Sequence, residues 1–429
     1  MPLTQKASSP PLTQKDRAKI LRVLKKLVPE RHINVSNPDQ DYEPWIALVE
    51  EHMPCLIDVD NSEVFEAGVS ELLMALDSSH TAFFHRRRDS VPAPYSINAT
   101  LHAVDTPEGN LWMFVDVIED GPAFQAGIRP GELLLSVDSE QVIPPRSASF
   151  RIGGSHKLEI GTFSGGRRQV AIQVPSRVAK DRPPMIEPRS LSHRMLAPNV
   201  GFVRVAMFPG AVGQSFARSL DQTIRDLKDH SVQRLIVDIR GNVGGGLGSL
   251  RLMSYLCPGK LEIGYSLTRR RLRKGYQKER LSRIGKIPAT KAGLLMMALR
   301  FKFFQRDRSM VLVTEGLGPQ PFHCRTVVLI NEHTHSAAEI VAGFARENRL
   351  ATLVGTRTGG EVLGGANFNL PSGYVLRMPV AGWYTWKGDC IEGKGVEPHV
   401  AVENSPESLA TGVDTQLETA LELARTLNS

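Results

Sequence analysis

Three short runs of β-branched and aliphatic residues set the fold class of this chain. Residues 200–205, 234–239 and 326–331 have the length and composition of buried strands. Each is followed by apolar residues at helical spacing, over 212–227, over 247–256, and from Ala337 through Ile340, Val341 and Phe344. Strands alternating with helices from about Pro188 onward predict an α/β domain. Residues 350–355 and 374–379 read as further strands, and 408–427 as a closing helix.

The rest of the chain has a different texture. Residues 1–14 are polar and read as a disordered tail. Residues 15–93 read as mostly helical, with Ile20, Leu21, Leu24 and Leu27 as one stripe and Phe65, Val69, Leu72, Leu73 and Leu76 as another. A polar linker with Arg86-Arg87-Arg88 and two prolines follows. From 94 to 184 the pattern is β-rich, with strands over 111–118, 133–137 and 170–174, and Arg182-Pro183-Pro184 closes the unit. The α/β part then spans 185–429 and carries a basic insert over 258–320. At about 100–200 residues per domain, 429 residues accommodate this division.

Charge and cysteine usage exclude several functions. The net charge of +7 is local in origin, because residues 269–308 hold fourteen Lys/Arg against Glu279 and Asp307. That segment is +12 and the remainder is −5, so no nucleic-acid partner is expected. Cys55, Cys257, Cys324 and Cys390 form no CxxC pair, which argues against a zinc or iron–sulfur site. Residues 1–19 lack the apolar core of a signal peptide, and no apolar run approaches ~20 residues. A soluble, cytoplasmic protein is expected. Residues 292–304 are apolar and basic, and read as a packed lid over the cleft in preference to a membrane-surface helix or an oligomer contact.

Ser336 falls where the 326–331 strand gives way to a helix. A hydroxyl there lies near the helix's free N–H groups, which suits a nucleophile. The same Ser336-x-x-Glu339 spacing is also a capping box, which would only satisfy those groups. Arg240-Gly241-Asn242-Val243-Gly244-Gly245-Gly246 follows another strand. It lacks both a Gly-Lys-Ser/Thr ending and GxGxxG, which disfavours a phosphate loop. It is either a tight turn or an oxyanion hole, in which the N–H of Gly244 or Gly245 joins that of Ala337. A serine nucleophile needs a base, and His80, His333 and His335 are candidates. His335 fits poorly, because adjacent residues on a turn point apart. A base in turn needs an orienting carboxylate, for which Glu392 is a candidate.

Taken together, these segments resemble the C-terminal processing (tail-specific) peptidase family, including its tricorn-core branch. DIRGNVGGG, NEHTHSAAEIVAG, LVGTRTGG and EGKGVEPHV resemble four of its elements in the family's order, and VIEDGPAFQAGIRPGELLLSVD resembles its inserted PDZ domain. The resemblance spans about 60–405 and implies a crotonase-like (ClpP/crotonase) catalytic core. Many relatives carry a lysine base in a turn after the serine, where this chain has Thr358-Gly359-Gly360-Glu361. The tricorn-like branch uses a Ser-His pair and a later glutamate, which Ser79-His80 and Glu392 match. The resemblance therefore implies Ser336 as nucleophile, His80 as base, and Ser79 and Glu392 as its orienting groups. It also implies a carboxylate-capturing PDZ loop around Tyr95, Ile97 and Ala99. The family's final Asp is His399 here. The expected function is a serine endopeptidase cutting peptides or unstructured protein tails, without metal or cofactor. Homo-oligomerisation is left open. The rival functions are a non-catalytic binder of peptides or lipophiles, and an esterase or amidase.

Overall fold

The computed structural model describes residues 11–176, 185–290, 292–296, 299 and 309–426. A mixed α/β core is present, centred on a six-stranded sheet. Its order is Leu191–Ala197, Val200–Val205, Arg234–Asp238, Thr326–Ile330, Thr352–Gly355, Val400–Ala401. The first pair is antiparallel and all later pairs are parallel. Helices Gln214–Asp229, Gly248–Leu256 and Ala337–Glu347 pack on the face bearing Val203, Val237 and Val328. Helix Thr415–Thr426 covers the other face, at Phe202, Ile236 and Leu329, through Ala420 and Ala424. Burial on both faces explains why the central strands read as unbroken apolar runs. The tail expected as one helix is two, Pro406–Ala410 and Thr415–Thr426, broken near Gly412 at φ +78°.

Parallel strands bring their C-terminal ends to one edge of the sheet, where α/β folds place their sites. The loops after Arg234–Asp238 and Thr326–Ile330 both leave from that edge. An ion network anchors the first loop. Arg240 makes paired hydrogen bonds to Asp238 (3.0 and 2.8 Å) and to Asp414 (2.8 Å each), and a fifth to Gln416 (2.9 Å). Arg204 adds a contact to Asp238 at 2.5 Å. Burial would raise the Asp238 carboxyl, but Arg204 and Arg240 hold it well below the ordinary carboxylate range. Removing one partner of a buried charge cluster strands the others. Arg240→Ala is expected to cost about 3–5 kcal/mol in urea unfolding; a loss under ~1 kcal/mol would mean the network contributes no more than an exposed pair.

The second sheet runs Ala82–His85, Tyr374–Thr385, Glu262–Thr268, Met310–Val313, Ser282–Ile284, with Gly364–Asn369 also paired to Tyr374–Thr385. It corrects one expectation and takes up much of the basic insert, which supplies three of these strands, with Glu262–Thr268 partnered on each side. Charged residues between short strands hid them from a periodicity reading. One of those charges, Arg269, lies 4.6 Å over the Tyr42 ring and donates to the Pro29 and Gln40 carbonyls. Most of the 292–304 stretch lies outside the described residues, as does Arg182-Pro183-Pro184. Leu295, Met296 and Leu299 are exposed.

The segment after His80 is likewise a strand and not a linker, since Ala82–His85 pairs with Arg377 through Tyr374. Helices Gln14–Arg31, Glu43–Asp58 and Ser62–Met74 bury their stripes against Tyr374, Leu376 and Met378 of the same long strand. The helical N-terminal region therefore shares a core with the second sheet.

The third sheet runs Ala99–Thr106, Gly109–Val117, Leu133–Val137, Ser155–Gly161, Arg167–Gln173 around its own core of Phe114, Leu134, Phe150 and Ile172. Asp116 joins it to the α/β core. Its carboxylate accepts from Thr100 Oγ1 (2.7 Å) on its own sheet and from Asn331 Nδ2 (3.0 Å) on the core. No described helix is long and apolar enough to cross a membrane.

Candidate active site

Ser336 stands on the turn between Thr326–Ile330 and helix Ala337–Glu347, with φ +56° and ψ −120°. An N-capping residue normally has extended backbone angles. A non-glycine residue at positive φ costs roughly 1–3 kcal/mol and persists only where its surroundings enforce it. Here Glu339 is the enforcer. Its fully buried carboxylate accepts from the N–H groups of Ser336 (3.0 Å), Gly360 (2.7 Å) and Glu361 (2.8 Å) and from Thr358 Oγ1 (2.6 Å). Burial raises this carboxyl, and the four donors oppose that rise. The Glu339 N–H donates to the Ser336 carbonyl (2.9 Å). Glu339 thus does more than the capping box promised, tying the serine turn to the 358–361 loop.

The glycine loop packs directly against this serine. A Cβ on Gly244 would lie 2.6 Å from Ser336 Cβ, and Gly244 has φ +90°. The Gly244 N–H is not free, because it donates to Asn242 Oδ1 at 2.8 Å. Asn242 is itself fully buried, donates from Nδ2 to the Val205 carbonyl (2.9 Å), and accepts the His335 N–H on its own carbonyl (2.9 Å). Of the two candidate loop donors, this leaves Gly245. The Gly244 carbonyl accepts from Phe208 N–H (2.9 Å). In a trans peptide the Gly245 N–H then points away from Phe208. Neither Gly245 N–H nor Ala337 N–H donates to a described residue. Gly245→Ala would place a Cβ 2.0 Å from the Phe208 carbonyl oxygen, at a φ of +133°. With the loop displaced, kcat is expected to fall about 10²–10³-fold, as for loss of one oxyanion donor. Steady-state kinetics at saturating peptide check this, and an unchanged kcat would remove Gly245 from the site.

The other expected residues converge by a continuous hydrogen-bond path. Ser336 N–H donates to the Glu361 carbonyl (3.0 Å), and the N–H of the same peptide unit, on Val362, donates to Glu392 Oε2 (2.7 Å). Glu392 Oε1 accepts from Ser79 N–H (3.3 Å), and Ser79 Oγ lies 2.9 Å from His80 Nδ1. Burial pushes the Glu392 carboxyl up, and the facing Ser79 hydroxyl and two N–H groups favour its anion. Among the described residues no hydrogen bond joins the Ser336 hydroxyl directly to His80. His80 itself has φ +61°, and a Cβ on Gly365 would sit 3.6 Å from its Cβ. Burial lowers the imidazole from 6.5 to about 4, helped by Arg377 and by His335, the residue before the serine.

The remaining candidates point elsewhere. Gly359 packs against the His335 ring, which lies 3.5 Å from Glu361 Oε2. His333 Nε2 lies 3.7 Å from Glu332 Oε1. Of the three residues expected to capture a carboxylate, Ile97 and Ala99 are buried in the third sheet's core. The Ile97 N–H donates to the Ala93 carbonyl (3.0 Å), and Ile186 occupies the loop by donating to the Tyr95 carbonyl (2.7 Å). Tyr95 is 39% exposed, and partial burial raises its phenol, with Arg377 and Glu361 as the charges that act on it. Tyr95 thus stands at the rim of the serine site. His399 stands where the resemblance expects an aspartate. Its Nδ1 accepts the Leu353 N–H (2.9 Å), and burial lowers its imidazole, which favours the neutral acceptor.

Asn242, Asn331 and Thr358 carry this site's geometry, and sequence reading passed over them. Nothing in local sequence shows which distant N–H an amide will reach.

The profile of peptidase family S41 matches residues 199–402. The chain is similar to that family over this segment, just under half of its length. It is a serine-type peptidase. A carboxy-terminal-processing protease of Bartonella bacilliformis is 24% identical over 367 residues, covering 83% of this chain and 74% of that relative. Tricorn protease homolog 2 of Streptomyces coelicolor is 24% identical over 410 residues, 89% of this chain and 30% of the homologue. The solved photosystem II D1 C-terminal processing protease superposes with a TM-score of 0.55 at 18% identity, covering 96% of this chain and 97% of that one, a likeness of fold. The S41 segment holds the glycine loop, Ser336, Glu339 and Glu392, whereas Ser79 and His80 come from outside it.

Proposed function

We propose that this serine-type peptidase is an endopeptidase for unstructured protein tails, with Ser336 as nucleophile and His80 as general base. The observation that carries the reading is the path from the strained Ser336 turn through one peptide unit to Glu392, Ser79 and His80. A carboxylate offers only lone pairs, so the Ser79 hydroxyl donates its hydrogen bond to Glu392. Ser79 Oγ then accepts from His80 Nδ1–H, and Nε2 keeps the lone pair a base requires. His80 takes the Ser336 proton as Oγ attacks the scissile carbonyl, then returns it to the leaving amine. The oxyanion is held by the N–H groups of Gly245 and Ala337. Apo sites are often looser than Michaelis complexes, so the missing direct Ser336–His80 bond is expected to form when a peptide fills the cleft.

The order of the parallel sheet and its covering helices supports a crotonase-like core. The third sheet supports a PDZ-type unit with boundaries near 94 and 184, and Ala99–Thr106, one of its two edge strands, is the proposed place for strand addition. Since Ile97 and Ala99 are buried and the Ile97 N–H is taken by the Ala93 carbonyl, the chain is proposed to take substrates by their extended backbone more than by their terminus. A fluorophosphonate probe tests the core of the reading, because it modifies an activated serine and spares a helix cap. Labelling of the wild type that disappears in Ser336→Ala is expected; equal labelling of both proteins excludes Ser336. Tail cleavage is tested with an unstructured peptide carrying a free or an amidated C-terminus. Cleavage of both at similar rates is expected, and turnover of simple esters without peptides would favour the esterase reading.

A further inference from the structure

His102, Glu332 and His333 present one ligand atom each within 4.8 Å of one another. His102 belongs to the third sheet's outermost strand, while Glu332 and His333 belong to the loop that leads to Ser336. The peptidase chemistry above uses none of the three. Glu332 Oε1 lies 3.7 Å from His102 Nδ1 and 3.7 Å from His333 Nε2. Metal bonds of ~2.0–2.1 Å in tetrahedral geometry place ligand atoms about 3.3–3.4 Å apart. Drawing these atoms onto an ion therefore needs only small side-chain shifts.

Two further observations point to a ligand. His333 Nε2 is sealed from solvent and has no hydrogen-bond partner. A buried polar atom without a partner is costly and uncommon, and a metal at this point would take up its lone pair. Glu332 is also positioned for the task. Thr356 Oγ1 donates to its Oε2 at 2.7 Å, which fixes the carboxylate and leaves Oε1 facing the two imidazoles. Hydrogen-bonded second partners of this kind are what metal-ligating carboxylates have. Two imidazoles and a carboxylate suit zinc, whereas calcium and magnesium take oxygen sets and soft ions take thiolates.

We propose that His102, Glu332 and His333 bind one zinc ion, and that the ion fastens the Ala99–Thr106 strand to the loop leading to Ser336. The site lies at the margin of a cleft of about 1170 Å³, which His102, Glu332 and Thr356 help to line. Three protein ligands leave a fourth position for water.

The test is metal binding, which is independent of peptidase activity. The chelator-treated full chain is titrated with Co²⁺, read by its visible d–d absorption, and with Zn²⁺ by calorimetry. One equivalent with a tetrahedral cobalt spectrum is expected, together with a zinc-dependent rise in melting temperature. His102→Ala, on an exposed side chain that leaves folding intact, is expected to weaken binding by at least about 100-fold and to abolish the rise. Glu332→Gln behaves alike, and Thr356→Val loses about 10–100-fold. Absence of a cobalt spectrum in the wild type, or a His102→Ala titration superimposable on it, overturns the proposal.

Discussion

Ser336→Ala is expected to lower kcat on an unstructured peptide by about 10⁶-fold while leaving the melting temperature unchanged. The loss is large because removal of a serine nucleophile disables the whole base-and-nucleophile unit. The unchanged stability is the more diagnostic half. A capping serine replaced by alanine costs about 1 kcal/mol. Ser336 has φ +56° and ψ −120°, and the first-turn anchoring comes from its backbone N–H and from Glu339. Alanine keeps that N–H and removes only the hydroxyl. Ser336→Gly separates strain from capping further. Glycine relieves roughly 1–3 kcal/mol of backbone strain and gives back roughly 0.5–1 kcal/mol in chain entropy. That variant should melt no lower than the wild type while being equally inactive. A cap instead makes the wild type the most stable of the three and Ser336→Ala the least, so paired melting curves and progress curves decide the matter.

His80→Ala is expected to cost about 10⁴–10⁶ in kcat, with the wild type showing an unusual pH profile. Burial, Arg377 and His335 lower this imidazole to about 4. A base is active when neutral, so kcat/KM should stay high through neutrality and fall about tenfold per pH unit only below about 4. An unburied histidine would already lose activity below its ordinary 6.5. The same shift makes a stability statement. The unfolded chain protonates His80 near 6.5 and the folded one near 4, so the unfolded state binds the proton first. His80's contribution is complete above 6.5, declines as pH falls from 6.5 to about 4, and changes no further below that. His32, lowered to about 4 by burial and by Arg269, adds to the same window. In His80→Ala the decline should be shallower. An acid limb near 6.5 in the wild-type rate would mean that the essential base is a solvated group and not this one.

The two variants also differ in reach. Ser336 lies inside the S41 segment and His80 outside it, more than two hundred residues away. With His80 as the proposed base, activity is expected to depend on the second sheet as well as the first, since Ala82–His85 pairs with Arg377 through Tyr374 beside His80. A substitution that loosens that pairing acts on the rate without touching the nucleophile.

By itself the sequence determined the strand–helix order from Val200 to Gly355, the placement of Ser336 at a strand–helix junction, and the glycines beside it. These are local matters, because an apolar period, a β-branched run or a glycine at positive φ depends on near neighbours in the chain. Motif order supplied Ser79, His80 and Glu392 by resemblance. Only the tertiary structure decided that Gly244 spends its N–H on Asn242 and leaves Gly245, and that Glu339 is a buried clamp with four donors. It also made sheet strands of the basic insert on either side of 292–304 and set Ile186 against the Tyr95 carbonyl. In each case the outcome rests on which polar group meets which across tens or hundreds of residues. Such a pairing has no period in the sequence, because it is set by how whole layers pack and by the need to satisfy every buried donor and acceptor.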